Sequence, residues 1–332
     1  ITIVVLTAKL RVHPFFAVLI ASFVVGLGVQ LPVSEVINAV KDGFGNIMRS
    51  LGLIIVLGTA LGVILEKSGS TKVMATFILE KVGPKRPALA MSITGFIVGL
   101  PLFCDSGFIV LSGLNVSLAK RTGTKVIIMA VSMATGLYAV HCLIPPHPGA
   151  AAAAGIIGVE YGKLILAGII IAIPAMIVGY LYAGYAGRKI SVIEIEREEE
   201  IITDKQVVLP STLSAFLPVV VPVILIALKS IFVNTVSANT TGLQILSSFG
   251  DPVIALSAGV LLALNCIRQW NTKKINPWLQ EAAEKAGGIL VIIGAGGAFG
   301  AVLSATHIGQ HFSEALPLAG MGLLFPFLLT FI

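Results

Sequence analysis

The sequence predicts an all-α polytopic membrane protein: inverted repeats with a re-entrant hairpin and a discontinuous transmembrane helix, the second repeat incomplete at the C-terminus. Three observations predict it. Of 332 residues, 56% are hydrophobic and 11% charged, where soluble domains carry about 25% charged residues. Apolar runs recur at lengths near the ~18–20 residues that cross a bilayer. The pattern repeats itself at long offset with its basic loops exchanged. The short alternating segments of a transmembrane β-barrel do not occur in the sequence.

The apolar segments, in order, are Pro14–Val29, Leu51–Leu65, Pro87–Leu100, Ser106–Ala119, Val126–Leu143, Ala150–Val159, Leu164–Tyr185, Leu213–Leu228, Pro252–Ile267, Gly287–Leu303 and Leu316–Ile332. Ser34–Met48 and Asn276–Ala286 are amphipathic and precede spans, so they are expected to lie along the interface. Glu66–Arg86 reads as a basic loop. Gly187–Gln206 is the one long polar stretch, with "EIEREEE" at 194–200, and reads as a solvated cytoplasmic linker. These segments group into a first repeat (1–186), the linker (187–206) and a second repeat (207–332).

The repeat is an offset of 238 residues that takes Pro14 to Pro252 and Ala17 to Ala255. Ile37-Asn38 match Ile275-Asn276, and Ile54, Ile55, Gly58, Ala60, Gly62 and Leu65 match Ile292, Ile293, Gly296, Ala298, Gly300 and Leu303. Charge gives the orientation. Glu66–Arg86 holds Lys67, Lys72, Lys81, Lys85 and Arg86, whereas its counterpart Ser304–Ala315 holds no Lys or Arg. Arg268–Lys285 holds four basic residues, against two in Leu31–Arg49. Basic loops face the cytoplasm, so the two copies are expected to cross in opposite senses. Inverted repeats of this kind build secondary transporters with a site near mid-membrane.

Asp105 is the only carboxylate between Pro87 and Ala119. Basic residues flank that stretch at both ends, so both ends are expected on the cytoplasmic side. Each arm, Pro87–Leu100 and Ser106–Ala119, spans about 21 Å as helix, short of the ~30 Å hydrocarbon core. A re-entrant hairpin with its tip at Pro101–Gly107 follows. The second interruption is "HCLIPPHPG" (141–149), whose prolines cannot continue a helix. Broken helices expose N-terminal ends that attract anions. No Lys or Arg lies in either element, so an anion would be held by helix ends, hydroxyls and His.

The site residues follow. A charge in mid-membrane costs about 2.5–3.5 kcal/mol on insertion scales; Asp105 is therefore expected to carry a coupling proton, or to cap the following helix. Ser106, Gly107, His141, His147 and Gly149 are expected to bind substrate, the alternatives being turn geometry for the glycines and carbonyl satisfaction for the histidines. A metal site is not expected, because the spacing has no ligand pattern. The Gly/Ala run 294–300 lacks the βαβ setting of a dinucleotide loop and reads as close helix packing. The net charge of +6 reflects cytoplasmic loops rather than a nucleic-acid partner. Without a paired-aspartate, HExxH or Ser/His arrangement, an enzyme is not expected.

"GLPLFCDSGFIVLSGL" (99–114), "HCLIPPHPGAAAAAGI" (141–156) and "GAGGAFGAVLSATHIG" (294–309) together resemble the gluconate permease family, the GntP-type symporters of sugar acids within the ion-transporter superfamily. The similarity covers essentially the whole chain. It implies a multi-pass protein of the cell inner membrane that imports gluconate or a related small sugar acid by an elevator-like mechanism. It also implies a homodimer, with no cofactor beyond a proton gradient; Na⁺ coupling, another carboxylate, or a channel or non-transporting subunit are the alternatives. Where many family tips carry two bulky aromatics before the acid, Cys104 follows Phe103 here. By the offset, the counterpart of Asp105 falls near position 343, so the second hairpin tip is expected beyond Ile332.

Overall fold

The computed structural model describes residues 1–332 except 84, 102, 146, 191–208, 236–247, 268–270 and 309–332, and the side chains of 105, 106, 148, 156 and 232–235 are likewise outside the description. The acidic run 194–200, His311 and the segment Leu316–Ile332 therefore lie outside the described residues. Among the described residues all regular structure is helical. The helices are α1 (Thr2–Val4, running into a π turn at Val5–Lys9), α2 (Pro14–Gly28), α3 (Val33–Lys67), α4 (Ser70–Val82), α5 (Pro87–Gly99) and α6 (Cys104–Thr122). They continue as α7 (Val126–Leu143), α8 (Pro148–Ile157), α9 (Tyr161–Lys189), α10 (Thr212–Thr235), α11 (Pro252–Asn265) and α12 (Thr272–Ala305). Five of them, α3, α7, α9, α10 and α12, are long and apolar enough to cross a membrane.

Three sequence expectations are corrected. Ser34–Met48 and Asn276–Ala286 are not separate from the spans that follow: each runs unbroken into its apolar partner, giving the 35-residue α3 and the 34-residue α12. The joints, Arg49-Ser50 and Ala286-Gly287, contain no proline, so nothing stops the i→i−4 ladder. Glu66–Arg86 is not all loop. It contains α4, whose Met74, Ala75 and Ile78 are buried; spaced at i, i+1 and i+4, they form the inner face of a helix whose lysines face outward. Finally, α6 begins at Cys104 and ends at Thr122, about 28 Å of helix, longer than the arm the apolar run alone suggests.

The chain divides into two compact units, Ile1–Ser50 with Leu290–Ile332, and Leu51–Ile289. In the first, helices approach through glycine. A Cβ on Gly43 would collide with the Gly297 carbonyl and lie 2.8 Å from the Ala298 Cα, and one on Gly294 would stand 2.5 Å from the Phe44 ring. The Gly/Ala run of α12 thus serves close packing.

The second unit is the larger. Its core gathers Ile64 and Leu65 of α3, Met74 of α4, Met91 and Val98 of α5, Leu111 of α6 and Met129, Met133 and Leu137 of α7. The close contact that organises it is between α5 and α7. A Cβ on Gly95 would collide with the Met133 carbonyl, and one on Gly136 with the Ser92 carbonyl; one on Gly99 would sit 3.3 Å from Leu137. Pro87 and Ala88 share a groove with Thr124 and Ile128, so the two helices start at the same end and run in the same direction. Small residues at such crossings let backbones touch, the means by which helices associate in lipid.

Gly136→Ala is expected to destabilise the protein by about 1–3 kcal/mol, the usual cost of overpacking. Gly113, where an added Cβ meets nothing within 4 Å, is the control: Gly113→Ala should leave stability unchanged or raise it. Thermal unfolding of both variants in detergent reads the difference.

Candidate functional site

Two interruptions meet inside the larger unit. α5 ends at Gly99, and the chain turns before α6 starts at Cys104. α7 ends at Leu143, Ile144 is extended (φ −121°, ψ 124°), and α8 starts at Pro148. Gly168 lets α9 close on the end of α7: a Cβ there would lie 2.6 Å from the Leu143 carbonyl oxygen.

His147 ties one interruption to the other. Its Nε2 lies 2.7 Å from the Gly99 carbonyl oxygen. A carbonyl only accepts, so Nε2 carries the proton and donates. The last four carbonyls of a helix have no partner within it, and His147, 2% exposed, supplies one to Gly99. Leaving such a buried carbonyl unpaired costs about 1–3 kcal/mol. The carbonyl-satisfying role therefore exists for His147; the sequence had placed it beside substrate binding as the alternative.

Aromatic rings close around this bond. Phe103 stands edge-on to His147 at 5.9 Å and to His141 at 6.2 Å between centroids, and the two imidazoles are 4.5 Å apart and tilted by 49°. Tyr138 stands 6.2 Å from His141. Phe103 and His147 are also the N-cap residues of α6 and α8, and neither side chain caps its own helix. Two helix N-termini, each carrying partial positive charge, therefore converge at one cluster.

The remaining expected residues distribute around them. The backbone of Asp105 occupies the second position of α6, so the tip is shorter than the expected Pro101–Gly107; an acidic residue in a first turn suits the helix dipole. The side chains of Asp105 and Ser106 lie outside the described residues. Gly107 is buried and its amide donates to the Phe103 carbonyl at 2.8 Å. Gly149 is exposed, and a Cβ there would meet nothing within 4 Å. Its φ is not positive, so neither turn geometry nor packing among the described residues calls for glycine; its smallness leaves the start of α8 bare.

Sequence reasoning passed over Tyr138, though it lies three residues before His141 on the same face of α7. It also passed over four buried polar groups in the apolar helices. Ser92 Oγ and Thr94 Oγ1 on α5, Asn115 Oδ1 on α6 and Ser132 Oγ on α7 are buried without a hydrogen-bond partner among the described residues. Such groups in an apolar bundle mark places that water or a polar ligand can satisfy. The signal was present as hydroxyls inside oily helices.

Comparison with known proteins now bears on this geometry. The sequence model of the GntP family permease matches residues 1–332. An uncharacterized permease of Haemophilus influenzae is 34% identical over 95% of this chain and 68% of its own length. A gluconate permease of Pseudomonas aeruginosa is 35% identical over 93% of this chain and 70% of its own. The D-serine transporter DsdX of Escherichia coli strain K12 is 31% identical over 95% and 72%.

His147→Phe keeps an aromatic ring and removes the donor. It is expected to destabilise the fold by about 1–3 kcal/mol, read as a lowered Tm in detergent. An unchanged Tm would mean that the bond to Gly99 holds nothing.

Proposed function

The chain belongs to the GntP permease family, and from that premise we propose that it carries a small hydroxylated carboxylate, of which gluconate is the first candidate, by secondary active transport. It is a multi-pass inner-membrane permease and not an enzyme. The observation that carries the substrate reading is the convergence of the α6 and α8 N-termini at Phe103 and His147, whose ring centroids are 5.9 Å apart, in stretches, 99–114 and 141–156, without Lys or Arg. Helix ends of this kind hold anions by backbone N–H groups and dipole. Relatives are named for gluconate, D-serine and L-idonate. These share a carboxylate and at least one hydroxyl, which suits a site that grips the carboxylate by helix ends. To Ser106, Gly107, His141, His147 and Gly149 we assign contact with the substrate.

Asp105 carries the coupling ion, a proton, with Na⁺ as the alternative. A carboxylate that must be neutralised before the site can move suits an elevator-like cycle, and the protein works as a homodimer. The hairpin re-enters. In support, α5 is 13 residues long, about 20 Å, and its start shares a groove with the start of α7, directly after the end of α6. The repeat is inverted. The repeat is supported by α2 and α11, which start at Pro14 and Pro252 with lengths of 15 and 14 residues, and by α3 and α12, which follow with 35 and 34; its inversion is supported by the basic loops exchanged between the copies. His13 and Asp251 each accept from the backbone N–H two residues on.

Asp105→Asn in proteoliposomes is expected to abolish accumulation against a substrate gradient while counterflow exchange persists. Concentrative uptake at the unaltered rate would remove the coupling role. Independently, in a cysteine-free background, Lys85→Cys and Lys120→Cys should both react with an impermeant maleimide from the cytoplasmic side only. Labelling from opposite sides would mean that the hairpin crosses.

A further inference from the structure

A cavity lies at the far end of α5 from the histidine cluster. It has a volume of about 600 Å³ and is walled by the starts of α5 and α7 and the end of α9. Lys85, Arg86, Arg188 and Lys189 all line it, together with Tyr180 and Tyr185, and among the described residues no carboxylate does. None of these four cations takes part in an ion pair among the described residues. One neighbouring lysine is used otherwise: Lys125 Nζ donates to the carbonyls of Arg188 at 3.0 Å and Ile190 at 3.2 Å. It closes the α9 C-terminus and fixes it against the start of α7. Lys189 Nζ donates to Tyr185 Oη at 2.7 Å and stands 4.2 Å from that ring's centroid. The groove is therefore a braced, one-signed concavity, where four like charges repel one another unless an anion joins them.

We propose that this groove binds the phosphate headgroup of an anionic membrane phospholipid. Charge and volume alone would suit any phosphate; the walls decide for a lipid. Leu181 and Tyr185 line the groove and are 60% and 63% exposed, and the same side of α9 continues through exposed Val178, Ile177, Ile171 and Ile170. A free phosphate has no use for that strip, whereas two acyl chains lie along it with the phosphorus held at its cationic end. The tyrosines occupy the level that amphipathic rings favour at a membrane interface. Basic pockets between transmembrane helices on the cytoplasmic side recognise such headgroups, and the basic excess places this end there.

Native mass spectrometry of the whole chain, delipidated and titrated with phosphatidylglycerol, cardiolipin or phosphatidylcholine, tests the proposal. The two anionic lipids should be retained and phosphatidylcholine should not. Arg86→Gln/Arg188→Gln should weaken phosphatidylglycerol retention about tenfold or more, while the exposed control pair Lys273→Gln/Lys274→Gln should not change it. If the double variant is not monodisperse, the single variants Arg86→Gln and Arg188→Gln are read the same way, each about threefold weaker. Equal loss in the control pair, or no loss in the groove variants, overturns the site. Thermal stabilisation by inorganic phosphate matching that by phosphatidylglycerol assigns it to a free anion and overturns the lipid. Retention that appears only after the glutamates of 194–200 are changed to glutamine assigns the groove to the chain's own acidic segment, and equally overturns it. None of these readouts uses transport, so they stand apart from the substrate and coupling readings.

Discussion

In hydrocarbon a backbone N–H or C=O without a partner has no water to turn to, and each one costs several kcal/mol. Everything at the candidate site follows from that constraint. A chain that stops two helices inside an apolar bundle creates orphan carbonyls at one end of each break and orphan amides at the other. The carbonyl debt of α5 is met by one side chain, His147, through a 2.7 Å bond to Gly99. The amides at the starts of α6 and α8 receive no side-chain cap from Phe103 or His147. The asymmetry is chemically consequential: the Gly99 carbonyl is already engaged, while the amides at the two helix starts, uncapped by Phe103 and His147, present donors to an anion.

That arrangement depends in turn on the α5–α7 crossing. The bond from His147 reaches Gly99 only because α5 lies in backbone contact with α7, and the contact exists because Gly95, Gly99 and Gly136 carry no side chain there. Side chains of ordinary size would hold the axes about 8–10 Å apart. The turn between α5 and α6 and the break between α7 and α8 would then be separate defects, each needing its own solvation. Glycine packing and the polar site are therefore one design at two levels, local composition setting interhelical distance and that distance setting hydrogen bonding.

Much of this was legible in the sequence, and the part that was not has physical reasons. The break at 141–149 could be read because proline removes a donor and clashes with the preceding turn whatever surrounds it; the observed α7 has the bounds that the apolar run gives, Val126–Leu143. The extent of α5 was readable from apolar length, but neither end of α6 was, because Cys104 and Asp105 are compatible with either turn or helix and Lys120-Arg121-Thr122 continue the helix past the apolar run. α4 was missed because a short helix with lysines on its outer face looks like a basic loop until Met74 and Ile78 are seen buried. The unbroken joins within α3 and α12 were missed for the opposite reason: a change from amphipathic to oily composition was taken for a change of element, whereas a helix continues through it at no cost. Pairings such as His147 with Gly99, 48 residues apart, are tertiary facts that periodicity does not encode.

The same geometry bears on selectivity. Backbone amides at a helix start recognise a carboxylate by its charge and two oxygens, and they are indifferent to what the carboxylate is attached to. If the helix ends hold the carboxylate, as proposed, discrimination among substrates falls to the side chains around them, of which the Phe103, Tyr138, His141 and His147 rings form a cluster. Rings constrain shape, and an imidazole whose Nε2 is already committed to Gly99 has only Nδ1 left to offer, as an acceptor when neutral. A site built this way holds the anionic end of its ligand through the fold itself and can change its preference for the rest by exchanging a few side chains.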